Sequence, residues 1–304
     1  MMISAERNPV SRRAVLAALT VLSLVSCSTA TPAQPPASTP VVSTPPKQPD
    51  FGRLERDFDA RLGVYAVDTA NGREVAFRAD ERFAYASTHK VFTAGAVLQR
   101  IPIGDLERTV KYSQNDLVAN SPVSEKQVAT GMTLRAAMDA AIRYSDNTAD
   151  NLLFRELGGP NGLAAAVRAT GDTTTHVDRI EPALNDTAPG DIRDTSTPRA
   201  MTATMRAFTL GNALPEDKRT ILVDLMRANQ TGGTVIRAGV PAGWQVGDKT
   251  GTGGYGTRND IALVWPPQRA PILLAILSDK KAKDAKTDDK LIAQAAAAAL
   301  AAFQ

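Results

Sequence analysis

Ser87 and Lys90 stand three residues apart where a stretch of helical periodicity begins, continuing through Val91 to Ile101. On a helix that spacing puts both side chains on one face. A serine hydroxyl is a poor nucleophile until a base takes its proton. A lysine can be that base when burial or nearby charge lowers its pKa. A helix start also offers free backbone N–H groups to a developing oxyanion. The spacing alone is a weak signal, because Ser278-Asp279-Lys280-Lys281 repeats it, and that copy reads as a solvated loop.

Three further clusters carry matching chemistry. Ser145-Asp146-Asn147 follows a helical run, and from a turn Ser145 and Asn147 can face one pocket. The plainer reading is an N-cap, which all three residue types favour. Glu181-Pro182-Ala183-Leu184-Asn185 lies in the aperiodic, Asp-, Pro- and Gly-rich stretch from Thr175 to Thr197. There Glu181 can serve as a general base and Asn185 can help hold a water. A lone loop glutamate is by default a solvated acid. Arg179 and Asp194 bracket the segment and can pin it as a pair; as exposed charges they would contribute little. Lys249-Thr250-Gly251-Thr252 ends a strand. Lysine and threonine in such a strand project to opposite or bent faces unless its edge is open, and Gly251 would let a substrate backbone approach. Arg258 opens the next strand and can reach the same pocket to clamp a carboxylate. Arg237 is the fallback clamp, and an edge strand defended by charge is the plainer alternative.

The elements that must position these residues follow from periodicity. Phe51, Leu54, Phe58 and Leu62 have helical spacing, and Leu62 to Asp68 with Glu74 to Arg78 flank the hairpin signal Asn71-Gly72. Val91 to Ile101, Leu134 to Tyr144, Ala149 to Leu157, Asn161 to Thr170, Thr197 to Leu210 and Pro215 to Ala228 read as helices. Trp244 to Thr250, Asn259 to Trp265 and Ile272 to Ser278 read as strands, and Asp284 to Phe303 as a closing helix. The expected fold is an α/β sandwich. Its antiparallel sheet is built by both chain termini (about 51–84 and 229–304), with an inserted all-helical domain (about 85–228).

Composition narrows the chemistry. The one cysteine, Cys27, permits no intrachain disulfide. One cysteine with two histidines, His89 and His176, is too few for a usual zinc site unless carboxylates fill in. It also leaves little room for a Ser-His-Asp triad, so no metal or cofactor is expected and the base is not a histidine. The net charge is +3, of which Arg7, Arg12 and Arg13 against Glu6 contribute +2 within the first 26 residues. The remaining +1 argues for neither nucleic acid nor an anionic membrane as partner.

The N-terminus reads as an address and a tether. Arg12-Arg13 precede an apolar run from Ala14 to Val25, too short to span a bilayer but suited to a signal-peptide core, residues 1–26. The paired arginines resemble a twin-arginine signal. Leu24-Val25-Ser26-Cys27 resembles a bacterial lipobox, which would make Cys27 a lipidated mature N-terminus on an exported, membrane-anchored protein. Residues 28–50 hold seven of the 19 prolines with Ser and Thr, the composition of an extended tether.

In this order the four motifs resemble those of the class A β-lactamases, whose signature includes S-x-x-K, S-D-N and K-T-G. The resemblance covers roughly residues 55 to 302. It implies that Ser87 is acylated with Lys90 assisting, and that Ser145 shuttles a proton to the leaving β-lactam nitrogen. It makes Asn147 a holder of the substrate side chain and Glu181 with Asn185 the pair that positions the deacylating water. Lys249, Thr250 and Arg258 resemble the substrate-carboxylate site, and the N–H groups of Ser87 and Thr252 the oxyanion hole. Arg179 with Asp194 resembles the bridge that closes the family's Ω-loop. The implied partner is a small β-lactam, met by a monomer. Asn120 stands where many members have an aromatic, and Ala86 and Gly253 are not the cysteines of a pocket disulfide found in some. A cell-wall D,D-peptidase shares the Ser, Lys and K-T-G set but lacks the Glu181 to Asn185 segment. A non-catalytic ligand-binding lipoprotein would have lost Ser87, Lys90 or Glu181.

Overall fold

The computed structural model describes residues 49–304. The expected signal peptide, the lipidated Cys27 and all but the last two residues of the tether lie outside the described residues. The strands, in chain order, are β1 (Arg61–Asp68), β2 (Glu74–Phe77), β3 (Phe83–Ala84), β4 (Thr109–Val110), β5 (Met132–Thr133), β6 (Thr195–Ser196), β7 (Gln245–Thr252), β8 (Arg258–Trp265) and β9 (Ile272–Asp279). The main sheet has the order β2-β1-β9-β8-β7, with every neighbouring pair antiparallel. β1 lies along the whole of β9, from Arg61 opposite Asp279 to Asp68 opposite Ile272, which joins the N- and C-terminal parts of the described residues.

The helices are α1 (Phe51–Phe58), α2 (Lys90–Arg100), α3 (Leu134–Arg143), α4 (Asn147–Leu157), α5 (Pro160–Ala169), α6 (Pro198–Thr209), α7 (Glu216–Arg227), α8 (Ile236–Gly239) and α9 (Asp289–Ala301). Alternation along the strands divides the apolar side chains between two cores. Ile261, Leu263, Leu273, Ala275 and Leu277 face the helical body with Phe92, Met138 and Phe208. Their neighbours Ala262, Val264, Leu274 and Ile276 pack on α1 and α9 through Phe51, Leu291, Ile292 and Leu300. This is the α/β sandwich expected of the sequence, with a sheet covered on both faces.

Local chemistry moves several boundaries. α1 stops at Phe58 rather than Leu62 because Asp59 takes a left-handed cap at φ 45°, and Leu62 is already a strand residue. The closing helix begins at Asp289, capped by the Asp288 side chain, rather than at Asp284. The hairpin turn is longer than the Asn-Gly pair: Asp68 N donates to Arg73 O, and Gly72, at φ 75°, donates to Asp68 O. Ser278 is no loop residue. It is a buried β9 residue whose hydroxyl donates to Arg258 O, which removes the second S-x-x-K copy from consideration.

Candidate active site

Ser87 sits in a 3-10 turn, Ala86–His89, and Lys90 is the first residue of α2, so the pair precedes the α-helix rather than lying within it. A 3-10 turn eclipses side chains three apart more closely than an α-helix does. The Lys90 Nζ accordingly lies 3.0 Å from Ser87 Oγ. The turn is bolted to the sheet: Asn259 Nδ2 on β8 donates to Ala84 O at 2.7 Å and Tyr85 O at 3.1 Å. β7 crosses so near that a Cβ on Gly251 would stand 2.9 Å from Tyr85 O and 3.2 Å from Thr88 N. Glycine at this position therefore brings the K-T-G strand against the Ser87 turn.

Lys90 is fully buried and ringed by acceptors, with Asn147 Oδ1 at 2.6 Å, Ser145 O at 3.0 Å and Glu181 Oε1 at 3.0 Å. The carbonyl and the amide oxygen each take one N–H, leaving the remaining position toward Ser87 and Glu181. The N-cap reading of the S-D-N tripeptide holds, and the cap leaves Ser145 and Asn147 both against Lys90. Asp146 is the N-cap of α4, accepting from Ala149 N. Its other oxygen takes the N–H groups of Val123 and Ser124. That anchor fixes Ser145, at φ 57°, on one side of the cap and Asn147 on the other. Asn120 donates to Ser145 O at 3.0 Å, so this polar residue secures the same turn.

Glu181 stands in the irregular segment yet is only 2% exposed, with Oε1 3.2 Å from Ser87 Oγ. Asn185 Nδ2 donates to its other carboxylate oxygen at 2.5 Å. Asn151 on α4, which the sequence reading did not single out, holds the Glu181 backbone through both N–H and C=O. Arg179 and Asp194 do pair, and Asp194 is wholly buried. It also accepts from the N–H groups of Asp178 and Arg179 and from the Tyr85 hydroxyl. Removing one partner of such a buried pair typically costs about 3–5 kcal/mol, so this bridge closes the loop in a way two exposed charges could not.

Lys249 is also fully buried, and its Nζ reaches Ser145 Oγ at 3.0 Å. Thr250 Oγ1 is 2.6 Å from Thr231 Oγ1, a partner absent from every sequence motif. Arg258 faces Thr252 across the β7–β8 ladder, donates to its hydroxyl at 3.1 Å, and is braced by Asp289 at 2.6 Å. Arg237 is engaged elsewhere, with Asp248 and the carbonyls of Met226 and Arg227, so it is not free to act as the clamp.

Burial, and after it the Lys90 charge, push the Lys249 ammonium down to about 7. A lowered lysine pKa means the cation is present below that value and is lost as pH rises through it. If Lys249 attracts a substrate carboxylate, kcat/KM for benzylpenicillin should decline above about pH 7, because that ratio reports the free enzyme. Lys249→Arg, which stays charged, should extend the plateau to higher pH. Identical profiles for the two proteins would separate Lys249 from anion capture.

A serine beside a buried lysine and a K-T-G strand, between an antiparallel sheet and a helical body, is the arrangement of the active-site-serine acyl-transfer enzymes that recognise penicillins. Comparison with known proteins narrows this. Residues 48–303 match the model of the beta-lactamase enzyme family. The chain is 56% identical over 268 residues to a beta-lactamase of Amycolatopsis lactamdurans, covering 88% of each. It is 58% identical over 250 residues to one of Bacillus amyloliquefaciens, covering 82% of each. A class A beta-lactamase structure from Clostridium kluyveri superposes with a TM-score of 0.82 at 51% identity, covering 83% of this chain and 97% of that one. The chain belongs to the class A serine β-lactamases.

Proposed function

We propose that this enzyme hydrolyses the β-lactam amide of penicillin- and cephalosporin-type antibiotics through an acyl-enzyme on Ser87, and so gives resistance to them. Family membership supports the hydrolysis. The observation that carries the Ser87 assignment is one hydroxyl with Lys90 Nζ at 3.0 Å and Glu181 Oε1 at 3.2 Å. Either group is within proton-transfer distance of Oγ. In acylation Ser87 Oγ loses its proton and attacks the lactam carbonyl, whose oxygen draws on the N–H groups of Ser87 and Thr252. As the C–N bond breaks, Ser145 hands its proton to the departing nitrogen and recovers one from Lys249, 3.0 Å away. In deacylation Glu181, with Asn185, takes a proton from water as it attacks the ester, and returns it to Ser87 Oγ, 3.2 Å away, as the ester C–O bond breaks. Asn147 contacts the substrate side chain, and Lys249, Thr250 and Arg258 receive the carboxylate. The direct test is loss of the β-lactam absorbance of benzylpenicillin on adding enzyme, with mass spectrometry locating the adduct on Ser87. Stoichiometric acylation without turnover would point instead to a penicillin-binding peptidase.

Arg258→Ala should lower kcat/KM for benzylpenicillin about 10- to 100-fold, the value of one charge-assisted hydrogen bond. Asp289, its partner, is 36% exposed, so water can replace the guanidinium and stability should change little. An unchanged kcat/KM would remove Arg258 from the carboxylate site.

The protein is further proposed to act as a monomer outside the cytoplasmic membrane, anchored by lipid on Cys27. Leu24 to Cys27 followed by the Pro-rich residues 28–50 supports the anchor. Mass spectrometry of membrane-extracted protein should find an acylated Cys27 peptide. Wholly soluble protein with a free N-terminus beyond Cys27 would overturn the anchor.

A further inference from the structure

One buried ionisable pair has no part in the mechanism above. His89 and Asp150, on the nucleophile turn and on α4, are both essentially inaccessible, with Nε2 2.8 Å from Asp150 Oδ2. The other ring nitrogen, Nδ1, is 2.7 Å from Ala86 O. A carbonyl oxygen only accepts, so Nδ1 must carry a hydrogen and donate. The Nε2 contact then needs either a second ring proton or a protonated Asp150. Burial opposes the charged ring, but Asp150 and then Glu181 outweigh it and leave the His89 pKa above the ordinary histidine value, the direction that favours sharing the proton as an imidazolium–carboxylate pair. The charged groups facing the ring are Asp150 from α4, Glu181 from the loop and Lys90 beside it on the chain. The Tyr85 ring, whose hydroxyl donates to Asp194, and Phe154 pack against it.

The acceptor matters because of what it is joined to. Ala86 O and Ser87 N are the two ends of one planar peptide unit. That unit is trans, so its C=O and N–H point in opposite directions. Fixing the carbonyl therefore aims the N–H, and a cation at the carbonyl draws electrons through the amide and makes the N–H a stronger donor. Ala86 is held at φ 47°, a left-handed conformation that a non-glycine residue keeps only when its surroundings enforce it. Asp150 has no side-chain hydrogen bond among the described residues other than to His89, and its Oδ1 is buried without a partner. Nothing else among the described residues bonds to this carboxylate. His89, Asp150 and Glu181 also offer ligand atoms within 4.8 Å of one another, but Glu181 Oε1 is already engaged by Lys90 Nζ at 3.0 Å and His89 Nε2 by Asp150, so these ligand atoms are taken up within the protein.

We propose that His89 and Asp150 are positioning residues, a buried dyad that orients and polarises the Ala86–Ser87 peptide so that Ser87 N–H binds the developing oxyanion. This rests on the assignment of Ser87 N–H to the oxyanion hole. The dyad touches neither substrate nor nucleophile and acts only through that peptide. Asp150→Asn keeps a hydrogen-bond partner for Nε2 and the Nδ1–H to Ala86 O, but removes the charge. The double variant His89→Phe/Asp150→Ala removes both without stranding a buried carboxylate.

The experiment uses the Glu181→Ala enzyme, in which acylation by benzylpenicillin can be followed alone. Two readouts are taken: the single-turnover acylation rate, and the infrared stretch of the acyl-ester carbonyl, which oxyanion donors pull to lower frequency. The double variant should acylate about tenfold more slowly, a fraction of the 10²–10³ that loss of a whole donor costs. Its ester stretch should move to higher frequency, with Asp150→Asn in between. A rate and a frequency equal to the Glu181→Ala parent in folded variants overturn the dyad's role. A parent frequency equal to that of the same ester in denatured protein overturns the oxyanion assignment, and the proposal with it. Should the double variant not fold, Asp150→Asn decides the matter by the same two readouts.

Discussion

Ser87→Ala is expected to abolish covalent capture of benzylpenicillin and to cut its hydrolysis by about 10⁴- to 10⁶-fold, the usual consequence of deleting an activated nucleophile. The surrounding geometry makes the result clean. Thr88 Oγ1 keeps its bond to Tyr85 O, and Asn259 keeps both carbonyls of the turn, so the backbone has no reason to move. Lys90 and Glu181 remain 3.0 Å apart and satisfy one another without the hydroxyl. Thermal stability should therefore stay near that of the parent while activity disappears. Mass spectrometry of the variant after mixing with benzylpenicillin should find only unmodified protein. An adduct elsewhere, or turnover within tenfold of the parent, would mean that another group attacks the ring.

Glu181→Ala separates the two halves of the reaction. Acylation needs a base at Ser87, and Lys90 Nζ, 3.0 Å away, can serve when the glutamate is gone. Deacylation needs a base beside the incoming water on the loop side, and the described site offers only Glu181 there, braced by Asn185 and Asn151. General-base assistance is worth about 10²–10⁴-fold, so steady-state turnover should fall by that factor. A persistent species with the mass of enzyme plus one whole antibiotic should appear, because ring opening expels no fragment. Removing the carboxylate leaves Lys90 still bonded to Asn147 Oδ1 and Ser145 O, which limits the structural cost. Turnover equal to the parent would take the deacylating role away from this loop.

Asp146 shows how a capping residue can also place its neighbours. As the N-cap of α4 it does what its residue type favours, and by doing so it sets Ser145 and Asn147 on the two sides of Lys90. The capping role builds the geometry on which the proposed function relies. The same holds for Gly251, whose missing side chain matters less for flexibility than for the 2.9 Å approach a Cβ would make to Tyr85 O.

By itself the sequence determined what short windows can encode. Apolar spacing placed the seven longer helices to within a few residues, and alternation with Asn71-Gly72 placed the β1–β2 hairpin, because periodicity and turn chemistry act over a few neighbours. The motif residues were legible for the same reason, each cluster being contiguous. Tertiary structure alone decided which clusters meet. Ser87 and Glu181 are 94 positions apart, Lys249 and Ser145 are 104, and only the joined sheet and the pinned loop bring them to about 3 Å. It also decided the supporting partners that no motif announces, Asn151, Thr231, Asn259 and Asp289, and the His89–Asp150 pair across 61 positions. Even the protonation of Lys249 belongs to this level, since burial and the Lys90 charge move its pKa to about 7. Desolvation and charge proximity are properties of packed volume, and a linear chain carries no local signal of them until distant segments exclude water together.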